Sequence, residues 1–258
     1  MSISSDDRDP LRALEAFRIP HLSPNMYYIP DFITMEEETS ILNKIPAQRW
    51  VVLSHRRLQA HPSQLTSGNT LFSAPLAPYL VTPIMDRFKD LGIFQSTPHG
   101  APNHVLVNEY KRGEGIMMHE DGAAYAHIVA TVSLGGTLCL DLARKRQEVE
   151  EEIPDAVADG YKLPTRILQE SRSLLITTGL AYTDLLHGIA DIEVDENLGK
   201  DSVANWDLLS ESSRKAVEDA GGRNERGTRV SLTYRDVLKT SSGIQKVLGH
   251  SLGWNKKK

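Results

Sequence analysis

The chain has 258 residues, a formal net charge of −5 and 40% hydrophobic residues, which is enough to bury one substantial core. No stretch approaches the roughly 18 apolar residues of a membrane helix, and the N-terminus lacks the basic and apolar pattern of a secretory signal. Cys139 is the only cysteine, which excludes an intramolecular disulfide and favours a reducing, intracellular setting without membrane association.

The N-terminal part of the chain predicts an arm followed by helices. Residues 1–25 mix Asp, Arg, Ser and Pro, as in a loosely held flexible arm. Thr34 and Glu37 fit a capping box that starts a helix. Apolar residues at spacings of three to four predict a second helix over residues 76–91, with two prolines at its beginning or at a kink.

From residue 103 the pattern changes to short strands. Residues 103–110 predict a strand, and residues 127–142 predict two strands broken at two adjacent glycines. Residues 165–179 have the pattern of a hairpin. Residues 228–237 alternate cleanly and predict a final strand.

Two segments interrupt this β pattern. Residues 143–164 are charged and contain Pro and Gly, so we expect a surface excursion there. Residues 191–227 contain a short predicted helix near 208–219, ended by the pair Gly221–Gly222.

The elements together predict a mainly β fold with flanking helices (α+β), a jelly-roll-like double sheet with an N-terminal helical layer. We expect one catalytic domain over residues 26–240. Its N-terminal helices would occupy residues 26–102 and its β core residues 103–240. A C-terminal tail would follow at residues 241–258.

A candidate metal site begins at His119. On a strand, residues two apart face the same side, so His119 and Asp121 converge while Glu120 faces away. A distant histidine would complete the two-His, one-carboxylate set that suits Fe(II) and leaves coordination positions open. His187 is the best candidate, because Gly188 beside it permits close backbone approach. A His-x-Asp pair alone also arises by chance as a surface pair.

The predicted last strand carries two arginines on one face, Arg229 and Arg235, with Ser231 between them. If that face points inward, the arginines need anionic partners, and a dicarboxylate would supply one. Arg229 would hold its distal carboxylate by a bidentate pair, and Ser231 would add a hydroxyl. Asn108 and Tyr110, two apart on another strand, would add an amide and a phenol. The alternative is the solvent face of an edge strand.

These motifs, in this order over residues 103–236, resemble the AlkB family of iron(II)- and 2-oxoglutarate-dependent dioxygenases. The segments NHVLVNEY, GEGIMMHEDG, VSLGG and RGTRVSLT are most similar to the sixth eukaryotic AlkB subgroup. The matching order is Asn108-x-Tyr110, His119-x-Asp121, His187-Gly188-Ile189 and Arg229 followed six residues later by Arg235.

The resemblance implies a double-stranded β-helix whose N-terminal helices form part of a nucleotide-recognition lid. By position, residues 48–75 would contribute to this lid, with Trp50, Arg56, Arg57 and Gln59 as substrate-binding residues. Trp50 would stack on a base and the arginines would contact phosphate or sugar. The alternative is that Trp50 belongs to the core and the arginines face solvent.

The resemblance also implies Fe(II), 2-oxoglutarate as cosubstrate, and O2. His119, Asp121 and His187 would hold the metal, and the cosubstrate would involve Asn108, Tyr110, Arg229, Ser231 and Arg235. Oxidation would convert 2-oxoglutarate to succinate and CO2, and a hydroxylated N-methyl group would leave as formaldehyde. The expected activity is N-demethylation of nucleic acid, with RNA slightly favoured over DNA.

Some AlkB-type repair enzymes carry a further acidic residue two positions after the metal Asp, and this chain has Ala123 there. That departure and the acidic net charge leave two alternatives open. One is a nucleic-acid-binding protein with little turnover, and the other is a protein side-chain hydroxylase. A monomer is favoured, and the resemblance implies a nuclear and cytoplasmic protein.

Overall fold

The computed structural model describes residues 12–20, 22, 26–145, 163 and 165–242. The strands are β1 (Met26–Ile29), β2 (Val51–Val52), β3 (Arg57–His61), β4 (Thr70–Phe72), β5 (His104–Tyr110), β6 (Ile116–His119), β7 (Tyr125–Gly135), β8 (Leu138–Arg144), β9 (Thr165–Gln169), β10 (Leu174–Thr178), β11 (Leu185–Ile189), β12 (Val194–Asp195), β13 (Asn224–Glu225), β14 (Arg229–Val237) and β15 (Lys239–Ser241). The helices are α1 (Met35–Lys44), α2 (Pro78–Val81), α3 (Ile84–Asp90), α4 (Gly179–Asp184) and α5 (Glu211–Asp219), with 3₁₀ turns at Arg12–Phe17, Ala47–Arg49 and Trp206–Leu208.

Two larger sheets make up the body of the fold. The major sheet has the order β1-β10-β7-β14-β5-β3-β2 and the minor sheet the order β6-β11-β8-β9. Strand β14 lies at the centre of the major sheet, antiparallel to both β5 and β7, and all nine of its residues are buried. The mainly β double-sheet prediction is confirmed, and the edge-strand alternative for β14 is excluded.

Helix α1 begins as its sequence predicts. The Thr34 side chain accepts a hydrogen bond from the Glu37 backbone N–H at 3.2 Å, and the Glu37 carboxylate accepts from the Thr34 N–H at 2.8 Å. Such a cap stabilises a helix by about 1 kcal/mol. The helix then buries Ile41 in the core.

The single helix predicted over residues 76–91 is wrong, because the segment forms two short helices. Helix α2 ends at Val81, Thr82 has extended backbone angles (φ −105°, ψ 129°), and α3 begins after Pro83. The proline ring disfavours helical geometry at the residue before it and removes a backbone donor.

The hairpin predicted over residues 165–179 is also wrong. Strand β9 pairs with β8 in the minor sheet, whereas β10 pairs with β1 and β7 in the major sheet. The chain crosses between the sheets through buried Glu170 and Ser173. A sequence pattern of two strands around a short turn predicts the turn, but it does not show whether the two strands pair with each other.

The predicted N-terminal arm is held in place where the structure describes it. Leu14 and Ile19 are fully buried and Leu22 nearly so. These apolar residues are spaced among polar ones, so average composition conceals them. The predicted excursion at residues 143–164 lies outside the described residues except at 143–145 and 163, as does the tail after residue 242.

The segment 191–227 is folded onto the minor sheet. Helix α5 confirms the predicted helix: the Ser210 side chain caps it, and Gly221 and Gly222 follow it with positive φ. Trp206 is buried in the core of this region. Among the helices that the structure describes, none is long and apolar enough to cross a membrane.

Candidate active site

A cavity of about 290 Å³ lies between the two sheets. Both sheets contribute to its wall, β5, β7 and β14 from one side and β6, β8, β9 and β11 from the other. All eight residues predicted for the metal and the cosubstrate line it: Asn108, Tyr110, His119, Asp121, His187, Arg229, Ser231 and Arg235.

The three predicted metal ligands lie together at one end of this cavity. His119 and His187 are cross-strand neighbours on β6 and β11, with ring centroids 4.4 Å apart. Asp121 follows β6, and its Oδ2 lies 3.9 Å from His187 Nε2. The Met117 carbonyl lies 2.8 Å from His119 Nδ1, so a proton on Nδ1 leaves Nε2 as the metal-binding nitrogen.

Glycine at position 188 permits this approach of β6 to β11. A Cβ atom on Gly188 would lie 3.0 Å from the Met118 backbone nitrogen and 3.1 Å from the Ile116 carbonyl oxygen. Any larger residue would therefore push the two histidine-bearing strands apart.

The protonation states suit a cation. Burial lowers the pKa of His187 to about 4, although Asp121 opposes the shift, so the imidazole is neutral near pH 7. Burial disfavours the charged form of Asp121, but the nearby guanidinium of Arg235 and the two histidines hold the Asp121 pKa below its ordinary value.

The donor chemistry fits iron(II), while the exact side-chain placement requires a small adjustment. As they stand, no three His, Cys, Asp or Glu side chains among the described residues are arranged to hold a metal ion. Ligand atoms about 2.1 Å from one ion lie about 3 Å apart, closer than the 3.9 Å between His187 and Asp121. Two imidazoles and one carboxylate are nevertheless the set that suits Fe(II), and a shift of about 1 Å brings them into range.

Arg229 lies at the other end of the cavity and is 2% exposed. Its Nη2 donates to Ser133 Oγ at 2.9 Å and to Gln169 Oε1, while its Nε has no hydrogen-bond partner among the described residues. Among the residues that the structure describes, no carboxylate pairs with it. Burial lowers the Arg229 pKa to about 10, so the guanidinium stays charged at neutral pH and favours an anionic ligand.

The other predicted cosubstrate residues lie on the same wall. Tyr110 is the cross-strand partner of Arg229, and Asn108 is that of Ser231. Burial raises the pKa of Tyr110, so its phenol remains a hydrogen-bond donor. The wall thus combines a cation with neutral donors, as binding of a carboxylate requires.

Arg235 has different surroundings. Six residues of strand separate it from Arg229 by about 20 Å. It forms an ion pair with Asp121 Oδ1, and its guanidinium carbon lies 4.9 Å from the centroid of the Tyr125 ring. Arg235 therefore contacts Asp121, one of the three predicted metal ligands, and lies far from Arg229, where the distal carboxylate of the cosubstrate is expected.

The lid region contains strands where the resemblance implied helices. Within residues 48–75, β2 and β3 extend the edge of the major sheet beyond β5. Arg56 reaches the cavity and donates to Asn108 Oδ1 at 3.3 Å. This arginine is thus placed to meet a substrate.

The other three predicted lid residues do not line the cavity. Gln59 is 1% exposed and donates to the Pro46 carbonyl at 2.8 Å, so its prediction as a substrate contact is wrong. Arg57 pairs with Glu109 at 2.7 Å and covers the Trp50 ring at 4.4 Å. Trp50 packs against the core, which agrees with the alternative to base stacking given by the sequence.

Three further residues were not predicted from the sequence: Gln169 and Tyr182 line the cavity, and Ser133 accepts a hydrogen bond from Arg229. Gln169 follows Ile167 on the buried face of β9, and a polar residue on an apolar face was the available signal. Tyr182 lies on α4 and donates to the Gly122 carbonyl at 2.7 Å, beside Asp121. No sequence pattern indicates that contact.

A larger open groove of about 870 Å³ adjoins the cavity and shares Arg56 and His119 with it. The exposed apolar side chains of Leu53, Met117 and Met118 line the groove. It therefore gives access to the metal end of the cavity from solvent.

Residues 72–235 match the 2OG-Fe(II) oxygenase superfamily. The chain belongs to this superfamily. The protein is therefore an oxidoreductase that depends on Fe(II), 2-oxoglutarate and O2.

Relatives place the chain among the AlkB homologues and confirm the resemblance. It is 36% identical over 229 residues to a probable RNA/DNA demethylase ALKBH6 of Danio rerio, covering 88% of this chain and 91% of that protein. It is 24% identical over 232 residues to the tRNA (carboxymethyluridine(34)-5-O)-methyltransferase ALKBH8 of Macaca fascicularis, covering 85% of this chain and 31% of that one. The solved structure of OsALKBH1 is 16% identical and covers 83% of this chain and 99% of its own, with a TM-score of 0.48.

Proposed function

We propose that this oxygenase removes N-methyl groups from a methylated nucleic acid by oxidation, with His119, Asp121 and His187 as iron ligands. The observation that carries the proposal is one cavity with a neutral-imidazole and carboxylate group at one end and an uncompensated Arg229 at the other. The 36% identity to a probable RNA/DNA demethylase supports the substrate class.

Each side chain has a defined task in this proposal. When bound, iron and 2-oxoglutarate supply the oxidising step that activates a C–H bond. Arg229 binds the distal carboxylate of 2-oxoglutarate, with Tyr110 and Ser231 as neutral donors beside it. Apolar side chains of the minor sheet, Leu140 and Leu142, line the same cavity and exclude water from it.

The adjoining groove supports a planar substrate group. Leu53 and Met118 offer apolar surface for the face of a base, and Arg56 supplies a cation where the groove meets the cavity. An N-methyl group on such a base would then reach the metal end beside His119.

The test uses Fe(II), 2-oxoglutarate and a panel of N-methylated RNA and DNA oligonucleotides. We expect succinate, formaldehyde and demethylated base in equal amounts, all lost in His119→Ala. Steady succinate formation with no demethylation across the panel would contradict the substrate class and leave the oxygenase chemistry standing. Equal RNA affinity in wild type and His119→Ala, without turnover in either, would favour a binding protein.

One observation favours a second candidate function, hydroxylation of a protein side chain. The groove also carries the carboxylates Asp141 and Asp191, which repel a phosphodiester backbone but suit a polypeptide with basic residues. This activity would appear as a +16 Da shift in a partner protein (one added oxygen atom).

A further inference from the structure

Within the part of the chain that the structure describes, the Arg229 side chain has two hydrogen-bond partners, which are both neutral and come from two different strands. Gln169 lies on β9 of the minor sheet and Ser133 on β7 of the major sheet. Arg229 Nη2 donates to both, and Ser133 Oγ donates to Gln169 Oε1 at 3.1 Å. The three side chains, here called the arginine cluster, form a closed set of hydrogen bonds.

The orientation of the Gln169 amide in this cluster is fixed by chemistry. A guanidinium has only donors, so the amide must turn its oxygen toward Arg229. Ser133 also donates to that oxygen. The guanidinium is thereby held across the two sheets while keeping its full positive charge.

A carboxylate at position 169 would have the opposite effect. Gln169, Ser133 and Arg229 are each at most 2% exposed, and an ion pair at this depth would be little screened by solvent. A tethered carboxylate would neutralise Arg229 and compete directly with the ligand. The next residue, Glu170, is a carboxylate, but it faces the other way and accepts from the Ser210 N–H at 3.2 Å.

We propose that Gln169 is a positioning residue that orients Arg229 without neutralising it, and so makes the site selective for a 2-oxo acid with an anionic distal group. The inference rests on the proposed role of Arg229 in binding 2-oxoglutarate. It assigns the selectivity to an inter-sheet amide and not to β14 alone.

The test measures binding of 2-oxoglutarate and of its 5-amide by calorimetry, with Mn(II) in place of Fe(II) and no nucleic acid present. Gln169→Glu should weaken 2-oxoglutarate binding roughly 10- to 100-fold, the value of a charge-assisted pair. The preference for 2-oxoglutarate over its 5-amide should shrink as well. The same variant should melt at or above the wild-type temperature without ligand, because it gains a buried ion pair.

Gln169→Met separates orientation from charge. This variant loses the amide but leaves Arg229 unneutralised. We expect a smaller loss of 2-oxoglutarate affinity than in Gln169→Glu and a retained preference over the 5-amide.

Gln59→Glu is the matched control. Gln59 is an equally buried glutamine outside the cavity, so the control places a new carboxylate in the core without touching Arg229. It should leave the affinity for 2-oxoglutarate unchanged. Arg229→Met gives the largest loss of 2-oxoglutarate affinity that disruption of the arginine cluster can cause.

The outcomes distinguish the role of Gln169 from the role of Arg229. If Arg229→Met loses affinity and Gln169→Glu stays within about twofold of wild type, the inference about Gln169 is overturned and the role of Arg229 stands. If Arg229→Met binds 2-oxoglutarate normally, both are overturned. Weak binding by Gln169→Glu together with normal binding by Gln59→Glu supports the proposal.

Discussion

Arg229 and Arg235 share one strand and one face, yet their partners assign them different tasks. Among the described residues, the Arg229 side chain meets neutral acceptors only and keeps its charge for a ligand, whereas Arg235 pairs with Asp121. Alternation along β14 predicted that both face the same side. It did not predict what each faces, because the partners come from strands far away in the chain.

Arg235 should act on metal affinity through Asp121. Its ion pair fixes the orientation of the Asp121 carboxylate, and loss of such an outer contact typically lowers metal affinity about 10- to 100-fold. We therefore expect weaker Co(II) binding, measured by absorbance titration, in Arg235→Met. Arg57→Met, which breaks an ion pair outside the cavity, is the control. Unchanged or tighter Co(II) binding in Arg235→Met would refute this role.

His61 should make stability depend on pH. It is 1% exposed, Arg49 lies 3.2 Å from Nδ1, and burial lowers its pKa from 6.5 to about 4. The unfolded chain therefore binds the proton more readily, and stability is lost as pH falls from 6.5 through 4.

Urea unfolding at pH 7 and pH 5 measures this effect. His61 should contribute about 2 kcal/mol to the loss of unfolding free energy over that interval. His61→Gln should be less stable at pH 7 but lose less on acidification. Equal losses in the two proteins would assign the pH dependence to other groups.

At the scale of elements, the strands and the first helix could be predicted because their signals are local. Alternation identified β5 and β14, and the pair of Thr34 and Glu37 identified the start of α1. The pairing of β9 and β10 could not be predicted, because a change of sheet depends on contacts with other strands. Pro83 indicated a break in the helical pattern, but the sequence did not show whether the proline bends one helix or separates two.

A buried ion pair joins the two ends of the segment 191–227 to each other. Arg226 and Asp195 are 2% and 1% exposed at the side chain, and Arg226 also donates to the Ala190 carbonyl at 2.6 Å, three residues after His187. Removing one partner would leave an uncompensated buried charge, at a cost of about 3–5 kcal/mol.

Asp195→Asn should therefore lower the unfolding free energy by that amount in urea titrations. The control is Asp219→Asn, which breaks the exposed pair with Lys215 on α5 and should change stability by less than about 0.5 kcal/mol. A small effect in both variants would show that apolar contacts, such as those of buried Trp206, and not the ion pair, stabilise the segment.

At the scale of the whole molecule, the cavity depends on two sheets that meet face to face. His119 and His187 come from the minor sheet and Arg229 from the major one. The spacing motifs predicted these residues because each motif lies within a few consecutive residues of the chain. Gln169 carried only the signal of a polar residue on a buried strand, and Tyr182 carried none, because both act between elements that are distant in the chain.

We propose that His119, Asp121 and His187 hold the iron with which this protein consumes 2-oxoglutarate. The direct measurement is succinate formation from 2-oxoglutarate, together with Fe(II) bound per protein, in wild type and His187→Ala. His127→Gln, an exposed histidine on β7 outside the metal group, is the matched control. We predict that His187→Ala remains folded but loses both bound iron and succinate, while His127→Gln keeps both. Normal iron content and turnover in folded His187→Ala would contradict the account.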